Sequence, residues 1–386
     1  MHKCILYKKN ESANDKSLQC LACSWYCQIP EGSTGLCGVR LNKDGDLYLL
    51  VYGKAVAANL DNIEKKPLYH FLPGTKVFSI GTVGCNFRCK FCQNWDISQT
   101  PALIKKEFKN KDKQTVQLGE ITQKGQDLPP EKIVNYCLEN DIPSIAYTYN
   151  EPAIFFEYAY DTAKLAHKKG LRNIFVSNGF ESEEALKKIR PYLDAINIDL
   201  KGFTEKFYQN ICGGKLKPVL ENIKRVYKMG IWLEVTTLVI PTKNDSDKEL
   251  KNIAEFIKSV SPEIPWHVTA FYPQYKMQDI PPTPPETLER AYEIGKKAGL
   301  KYVYTGNIPG LKGDNTYCPK CGTEIVSRYA LSCVECKIDG QGHCPKCCES
   351  DNPADNPGSS KSTQSTDNPE SSKLDNPCGK IAGIWN

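Results

Sequence analysis

The middle of the chain alternates between short apolar runs and longer stretches in which apolar residues recur every three or four positions. The short runs are rich in Val, Ile, Thr, Tyr and Phe and predict β-strands at 76–81, 144–149, 173–178, 195–200, 232–240, 266–272 and 301–306. The periodic stretches predict helices at 130–140, 153–169, 182–193, 218–229, 246–259 and 285–298. Repeated strand–helix units favour parallel strands with right-handed crossovers. The pattern therefore indicates an α/β fold, either an open doubly wound sheet or a full or partial (β/α) barrel.

Polar or glycine-rich segments follow these strands, always at the same end. Cys85 follows the first strand, residues 150–152 (Asn-Glu-Pro) the second, 177–179 (Ser-Asn-Gly) close the third, and 199–201 (Asp-Leu-Lys) close the fourth. In (β/α) folds the functional site lies at the carboxyl ends of the strands. We therefore expect these segments to meet at one site.

The segment 84–95, with the sequence GCNFRCKFCQNW, contains three cysteines in the spacing C-x3-C-x2-C: Cys85, Cys89 and Cys92. Three thiolates can hold three irons of a [4Fe–4S] cluster and leave the fourth iron open to a chelating cofactor such as S-adenosylmethionine. The alternatives are a zinc site or free buried thiols, but a closed zinc site needs a fourth protein ligand. The spacing therefore favours an open iron–sulfur cluster.

The 18 cysteines of this 386-residue chain are unusually many. The first ten residues lack the apolar core of a signal peptide, so the clustered cysteines indicate metal or iron–sulfur ligation rather than disulfides. We expect a cytoplasmic protein. No apolar run is long enough to predict a membrane span, and a net charge of +5 gives little reason to expect nucleic acid.

A second group of cysteines near the start has the spacing C-x2-C-x3-C-x9-C: Cys20, Cys23, Cys27 and Cys37. Four thiolates can close a tetrahedral zinc site or hold a second iron–sulfur cluster. The spacing is compatible with both.

A third group lies near the other end, where two C-P-x-C knuckles predict a zinc ribbon with the ligands Cys318, Cys321, Cys344 and Cys347. Cys333 and Cys336 form a further C-x2-C pair between the knuckles, and Cys348 and Cys378 follow them. The sequence leaves the pairing open. We favour Cys347 over Cys378 as the fourth ligand because it keeps the second knuckle intact.

Residues 349–377 contain four Asp-Asn-Pro triplets and much Ser, Lys and Thr, a composition that predicts disorder. The apolar segment that follows makes this stretch an insertion rather than a tail. We therefore expect an N-terminal cysteine-rich module (1–50), a (β/α) unit (51–310), a zinc-ribbon-like module (311–348), the insertion (349–377), and the end of the ribbon module (378–386).

Several long stretches together resemble the radical S-adenosylmethionine (radical SAM) enzymes. They include IEKKPLYHFLPGTKVFSIGTVGCNFRCKFCQNWDISQ (63–99), YTYNEPAIFFEY (147–158), INIDLKGF (196–203) and GNIPGLKGDNTYCPKCG (306–322). More narrowly, the chain resembles the pyruvate formate-lyase activating enzyme-like group, and within it the AmmeMemoRadiSam-system enzymes. The resemblance implies a partial (β/α) barrel, a [4Fe–4S] cluster, S-adenosylmethionine, and a low-potential electron donor of the flavodoxin or ferredoxin type.

The resemblance also implies roles by position for a set of cofactor-binding residues: Asn150, Glu151, Ser177, Asn178, Asp199 and Lys201. Glu151 is expected to accept from the cofactor's amino group, and Lys201 is expected near its carboxylate. Ser177 and Asn178 match a ribose or methionine contact. Tyr149 and Asn150 stand where related enzymes carry glycines, so the backbone there is a point of difference.

Cys212, in the loop after the fourth strand, is a further candidate for the catalytic site, as a hydrogen donor or substrate contact, although a small buried residue is the more ordinary reading. The leading functional hypothesis is reductive cleavage of S-adenosylmethionine to a 5′-deoxyadenosyl radical that takes hydrogen from an unidentified substrate. The alternatives are a glycyl-radical enzyme activase, whose substrate is a protein, and a non-catalytic metal-binding module that docks nucleic acid or protein. Val176 stands where activases often carry an acid, which counts against that alternative.

Overall fold

The computed structural model describes residues 1–10, 16–107, 114–339 and 342–349. In chain order the strands are β1 (His2–Lys3), β2 (Tyr7–Lys9), β3 (Leu18–Cys20), β4 (Gln28–Ile29), β5 (Arg40–Lys43), β6 (Asp46–Leu49), β7 (Lys54–Ala55), β8 (Ala57–Asn62), β9 (Lys76–Gly81), β10 (Gln126–Asp127), β11 (Ser144–Tyr147), β12 (Arg172–Ser177), β13 (Ala195–Asp199), β14 (Trp232–Val239), β15 (Trp266–Ala270), β16 (Val303–Gly306), β17 (Thr316–Tyr317), β18 (Glu324–Tyr329) and β19 (Ser332–Cys336).

The α-helices are α1 (Trp95–Ser98), α2 (Thr100–Glu107), α3 (Gln114–Gln123), α4 (Pro130–Glu139), α5 (Phe156–Lys168), α6 (Glu183–Ile189), α7 (Glu205–Phe207), α8 (Leu216–Lys228), α9 (Asp247–Val260), α10 (Pro285–Ala298) and α11 (Pro345–Glu349). Short 3₁₀ segments lie at Ile63–Lys65, Pro152–Phe155 and Arg190–Tyr192, and a π-helical turn at Tyr208–Cys212.

The central sheet has eight strands in the order β16-β15-β14-β13-β12-β11-β9-β8. Seven of its strands, β9 and β11 to β16, are parallel to one another, and β8 adds an antiparallel edge beside β9. Because each strand lies next to the following one in sequence, the chain winds in one direction as a barrel does and never reverses as a doubly wound sheet must. The predicted partial (β/α) barrel is confirmed, and all seven predicted strands are present.

The helices pack on one face of this sheet through their apolar stripes. In α8, Val219, Ile223 and Val226 are buried at helical spacing. In α10, Gly295 lets the helix approach the sheet closely, because a Cβ there would lie 2.9 Å from Val303 and 3.0 Å from Trp266. The six predicted helices that follow residue 130 therefore cover the barrel from outside and leave the strand ends free.

The N-terminal module consists of two small antiparallel sheets, β1-β6-β5 and β2-β3-β4. It is joined to the barrel by a buried ion pair in which the Arg40 guanidinium donates to both carboxylate oxygens of Glu157, each at 2.8 Å. Glu157 lies in the first turn of α5 and also accepts from the Ile5 amide. The module therefore packs directly against a barrel helix.

The C-terminal module contains the antiparallel sheet β17-β18-β19 and α11. The turn between β18 and β19 reaches back to the barrel, where Asn62 donates to the Leu331 carbonyl and the Ser332 hydroxyl. Arg328 of β18 donates to the Tyr69 carbonyl at 2.6 Å. This module therefore contacts the last residue of β8, which pairs with Lys76 at the start of β9.

The predicted disordered insertion (349–377) and the end of the ribbon module (378–386) lie outside the described residues, apart from the helical backbone of Glu349. Among the residues that the structure describes, no helix is both long and apolar enough to cross a membrane.

Candidate active site

The three-cysteine loop follows β9 and is held by the loop after β13. Arg88 and Lys90 donate their backbone N–H groups to the carbonyls of Cys212 and Ile211, at 2.8 and 2.9 Å. Gly214 is needed at this contact, because a Cβ there would lie 2.4 Å from the Phe87 ring. The loop that contains Cys212, a candidate catalytic residue in the sequence, therefore holds the backbone of the cysteine loop.

Cys85, Cys89 and Cys92 lie together on the wall of one cavity of about 500 Å³. The phenyl rings of Phe87 and Phe91 also line it, as expected for side chains that shield a cluster. Part of the polar lining comes from the parallel strands and the residues that follow them: Thr148, Asn150, Ser177, Asn178, Asp199, Lys201, Thr236, Thr269 and Asn307. The remaining polar lining comes from β8 and the segment after it (Asp61, Lys65 and Lys66) and from the cysteine loop and α1 (Gln93, Asn94 and Ser98). Neither a histidine nor a fourth cysteine is among the described residues that line it. The cavity thus has three thiolate ligands and room for a small molecule beside them.

Asn150 fixes the loop and also faces the cavity. Its amide nitrogen donates to the carbonyls of Thr82 and Gly84, both at 2.8 Å, while its Oδ1 is buried without a hydrogen-bond partner within the described chain. Tyr149, just before it, has φ +68°. The backbone therefore keeps the left-handed conformation that glycine favours, at a cost of about 1–2 kcal/mol, and the Tyr149 hydroxyl donates to Asp61 at 2.9 Å.

Glu151 does not line the cavity. Its carboxylate is buried behind the strand ends, where it accepts from the Ser177 hydroxyl at 3.1 Å and from the Asn178 amide at 2.9 Å. It also caps the following turn by accepting from the Ala153 N–H at 3.1 Å. Burial, with the neighbouring Glu181 carboxylate, raises the pKa of Glu151 well above its usual value. Glu151 is thus the N-cap of the 3₁₀ segment Pro152–Phe155.

Ser177 ends β12, Asn178 follows it, and both line the cavity beside Val176. The Asn178 side-chain amide donates to Asn86 Oδ1 at 2.8 Å, and Asn86 follows Cys85 directly in the chain. The third strand end is therefore tied both to Glu151 and to the cysteine loop.

Asp199 and Lys201 form a partly buried ion pair, with Lys201 Nζ 2.6 Å from the Asp199 carboxylate. Although burial opposes it, Asp199 and the neighbouring thiols raise the pKa of Lys201 above its usual value. The Lys201 ammonium also lies 5.7 Å from the centre of the Phe91 ring. A fixed positive charge therefore stands next to the cluster loop, where it can bind a carboxylate.

Cys212, the remaining candidate from the sequence, lies away from the cavity, and so does the buried His267. Cys212 is fully buried and packs against Cys89, but it is not among the residues that line the cavity. His267 is buried in β15 and pairs with Glu234 at 2.7 Å.

Sequence reasoning missed the contribution of the later strand ends and of the C-terminal module. Thr236, Thr269 and Asn307 line the cavity from β14, β15 and the residue after β16, and Leu331 enters from the turn between β18 and β19. Asn307 could have been predicted as a site residue, because it directly follows the predicted strand 301–306. Leu331 carries no signal, because only the fold brings it to the barrel.

A second cavity, of about 330 Å³, adjoins the first and shares Gln93, Asn307 and Leu331 with it. Arg328 and Asp314 of the C-terminal module also line it. The Arg328 guanidinium stacks on the Tyr69 ring at 4.3 Å and donates to Thr316 at 2.8 Å. This second space lies between the barrel and the C-terminal module.

The C-terminal cysteines Cys318, Cys321, Cys344 and Cys347 bring their sulfurs within 4.8 Å of one another. The sulfur–sulfur distances are 3.8 Å for Cys318–Cys347 and 3.6 Å for Cys321–Cys344. A tetrahedral zinc ion with Zn–S bonds of about 2.3 Å places its sulfurs about 3.8 Å apart. The four residues therefore fit a single tetrahedral ion, whereas Cys378 lies outside the described residues.

Comparison with known proteins places this architecture in a family. Residues 79–257 match the model of the radical SAM superfamily. The chain is 41% identical over 340 residues to the uncharacterized protein MJ0808 of Methanocaldococcus jannaschii, which covers 88% of this chain and 95% of that protein. It is 21% identical over 186 residues to the pyruvate formate-lyase-activating enzyme of Clostridium pasteurianum, covering 46% of this chain and 67% of that protein.

Among solved structures, SuiB of Streptococcus suis bound to S-adenosylmethionine aligns with a TM-score of 0.44 at 12% identity, covering 63% of this chain and 52% of that one.

The chain belongs to the radical SAM superfamily. It is therefore an enzyme, and membership implies a [4Fe–4S] cluster and S-adenosylmethionine as its cofactors. The residues present fit both, because Cys85, Cys89 and Cys92 line the cavity with no further cysteine or histidine among the described lining residues, and because Asn150 and Lys201 line it as well.

Proposed function

We propose that the 500 Å³ cavity binds S-adenosylmethionine at the open iron of a cluster held by Cys85, Cys89 and Cys92. The observation that carries this proposal is the cavity's lining, in which three thiolates meet polar strand-end residues and no fourth ligand among the described residues closes the site. When bound, the cluster and S-adenosylmethionine supply a 5′-deoxyadenosyl radical that takes hydrogen from a substrate.

The cofactor's amino and carboxylate groups would be bound by two residues of opposite character. Asn150 Oδ1 is buried, has no other partner within the described chain, and accepts from an amine. The Lys201 ammonium, held by Asp199, donates to a carboxylate. Ser177 and Asn178 would contact the ribose or the methionine portion, and Glu151 would position them from behind rather than touch the cofactor.

We place the substrate in the adjoining cavity between barrel and C-terminal module. Its walls carry the charged side chains of Arg328 and Asp314 and the edge of Tyr272. The two cavities share Gln93, Asn307 and Leu331, so a radical formed in the first needs only a short path to the second. Walls that exclude water would protect the radical from side reactions.

We further propose that the enzyme belongs to the AmmeMemoRadiSam-system group, on the stretches quoted above. Zinc would be the ion at Cys318, Cys321, Cys344 and Cys347, because their sulfur spacing suits one tetrahedral ion. A single-electron donor of the flavodoxin or ferredoxin type would reduce the active-site cluster, and the enzyme would act in the cytoplasm.

Glycyl-radical activation of a partner protein is the second candidate, favoured by the likeness to a pyruvate formate-lyase-activating enzyme. Val176 lines the cavity where such enzymes often carry an acid, so this candidate has less support from the site. A radical on a glycine of a mixed-in partner protein, detected by electron paramagnetic resonance, would favour it.

The deciding experiment is anaerobic reconstitution with iron and sulfide, followed by addition of dithionite and S-adenosylmethionine and assay of 5′-deoxyadenosine. We expect its formation. A protein with a fully loaded active-site cluster that forms none would overturn the proposal.

A further inference from the structure

We propose that Cys20, Cys23, Cys27 and Cys37 hold a second [4Fe–4S] cluster, which relays single electrons to the cluster of the active site. The relay rests on the proposed function. The ligand site itself stands on the geometry of the N-terminal module.

The four cysteines line one enclosed cavity between the two small N-terminal sheets and the barrel. Cys20, Cys23 and Cys37 are buried, and Cys27 is partly buried. Every thiolate needed for a closed site is therefore present, and none has to come from elsewhere. A closed site of four thiolates leaves no iron open to a cofactor, in contrast to the three-cysteine loop.

The spacing of the sulfurs distinguishes this site from a zinc site. Within the part of the chain that the structure describes, only the C-terminal cysteines bring three or more sulfurs within 4.8 Å of one another. The N-terminal cysteines do not, and neither do Cys85, Cys89 and Cys92. A single ion pulls its four thiolates to one centre, whereas a cubane binds each thiolate to a different iron and so holds them farther apart. The sulfurs of the N-terminal cysteines are thus spaced more widely than those of the C-terminal group, as are the sulfurs of Cys85, Cys89 and Cys92.

Two buried N–H groups on residues lining the cavity await acceptors. Arg40 Nε and Asn86 Nδ2 are both buried, and neither has a hydrogen-bond partner among the described residues. Hydrogen bonds to cluster sulfurs stabilise the cluster and tune its potential. An anionic cluster with its sulfides would accept from such donors.

The N-terminal site touches the active-site loop directly. A Cβ at Gly84 would lie 2.8 Å from the Cys37 carbonyl, so the glycine, at φ +95°, lets the two loops meet. The Trp25 indole donates to the Asn86 carbonyl at 2.9 Å. Asn86 lines the N-terminal cavity and is bonded in sequence to Cys85, which lines the active-site cavity. A single peptide bond therefore joins a residue of one site to a residue of the other.

The transfer balances as one electron in and one electron out. A low-potential protein donor of the flavodoxin or ferredoxin class reduces the N-terminal cluster by one electron, and that cluster is reoxidised as the active-site cluster gains the same electron. No bond or proton changes in this step.

The first test removes the active-site cluster and asks what remains. The wild-type protein, reconstituted anaerobically, should hold about eight irons and eight sulfides per chain, and the Cys85→Ala/Cys89→Ala/Cys92→Ala variant should keep about four of each. After reduction with dithionite, this variant should show an electron paramagnetic resonance signal that S-adenosylmethionine does not alter. A variant that holds no iron but an additional zinc ion would overturn the proposal.

The second test removes the N-terminal ligands. Cys20→Ser/Cys37→Ser should lose about half of the iron and keep the C-terminal zinc, whereas Cys137→Ala, a buried cysteine of α4 outside all three groups, should lose neither. With a reduced flavodoxin-type donor, 5′-deoxyadenosine formation should fall at least about tenfold in the double variant, while dithionite should restore it. An unchanged rate with the protein donor would overturn the relay.

The two proposals fail in different ways. A wild-type protein with both clusters that forms no 5′-deoxyadenosine contradicts the proposed function and leaves the second cluster in place. If the Cys85→Ala/Cys89→Ala/Cys92→Ala variant holds no iron, the proposal of a second cluster is contradicted, whatever the wild-type protein does with S-adenosylmethionine.

Discussion

The cysteine loop of the active site and the cysteine group of the C-terminal module both present cysteine sulfurs, but the first site is open and the second is closed. In the C-terminal module four sulfurs gather within 4.8 Å and close around one point. In the barrel three sulfurs stand on the wall of a 500 Å³ cavity among polar side chains. The difference teaches that the number of thiolates and the space left beside them, rather than the ligand chemistry, separate a structural metal site from a reactive one.

The most severe test of this comparison removes one ligand of the open site. In Cys89→Ala we expect 5′-deoxyadenosine formation to fall to background and the visible absorbance to drop by the share of the active-site cluster, because two thiolates no longer hold it. Bound zinc should stay unchanged. Cys137→Ala, with full activity, is the matched control. Activity retained in Cys89→Ala would show that the loop is not the reactive centre.

The reciprocal change removes one ligand of the closed site. Cys344→Ala should release the zinc and destabilise the C-terminal module by several kcal/mol, because metal binding and folding are coupled in such modules. Metal analysis and thermal unfolding of this variant would measure the effect. The iron content should not change. Loss of iron together with zinc would mean that the two sites are not independent.

A smaller effect is expected from the charge beside the open site. Lys201→Ala should weaken S-adenosylmethionine binding roughly 10- to 150-fold, because hydrogen bonds to charged groups are worth about 1.5–3 kcal/mol. Isothermal titration of the cluster-loaded protein measures this. Lys217→Ala, an exposed lysine of α8, is the control. Equal affinities in the two variants would remove Lys201 from the binding site.

The smallest expected effect concerns the contact between the barrel and the C-terminal module near Tyr69, which involves no metal. Glu234 accepts from the backbone amides of Tyr69 and His70, and Arg328 of the C-terminal module stacks on Tyr69. Burial opposes ionisation, but His267 and His70 lower the pKa of Glu234 to about 2, from a usual value of 4.5. Because the folded-state pKa is the lower one, this carboxylate stabilises the fold above pH 4.5, and that contribution is lost as the pH falls toward 2.

Glu234→Gln should therefore lower the free energy of unfolding at pH 7 by roughly 1–3 kcal/mol, and the difference from wild type should shrink on acidification. Chemical unfolding of both proteins at several pH values measures it. Metal centres are lost from both proteins alike in acid, so the difference between the two curves isolates Glu234. A difference that is constant with pH would contradict the assigned ionisation.

The repeating part of the fold could be predicted from the sequence because local periodicity carries it. All seven parallel strands appear within a few residues of their predicted ranges, and the strand-end rule brought Asn150, Ser177, Asn178, Asp199 and Lys201 to one cavity. The antiparallel edge strand β8 and the two small N-terminal sheets were not predicted, because their strands are too short or too polar to show a period.

The details of the site depended on contacts between distant residues. Glu151 turns away from the cavity because three donors, from Ala153, Ser177 and Asn178, hold it behind the strand ends. No sequence pattern reports that those donors will be there. The same holds for the choice of Cys347 as the fourth sulfur of the C-terminal group, which only the folded ribbon displays.

The turn between β18 and β19 is a wall of both cavities, since Leu331 lines each of them and its carbonyl accepts from Asn62 of the barrel. A turn that lies far from β9 in sequence thus supplies part of the wall of the cavity that the cysteine loop after β9 also lines. If an ion bound at Cys318, Cys321, Cys344 and Cys347 stabilises this module, as metals do in small modules of this kind, its loss would loosen a wall of both cavities as well as the module itself.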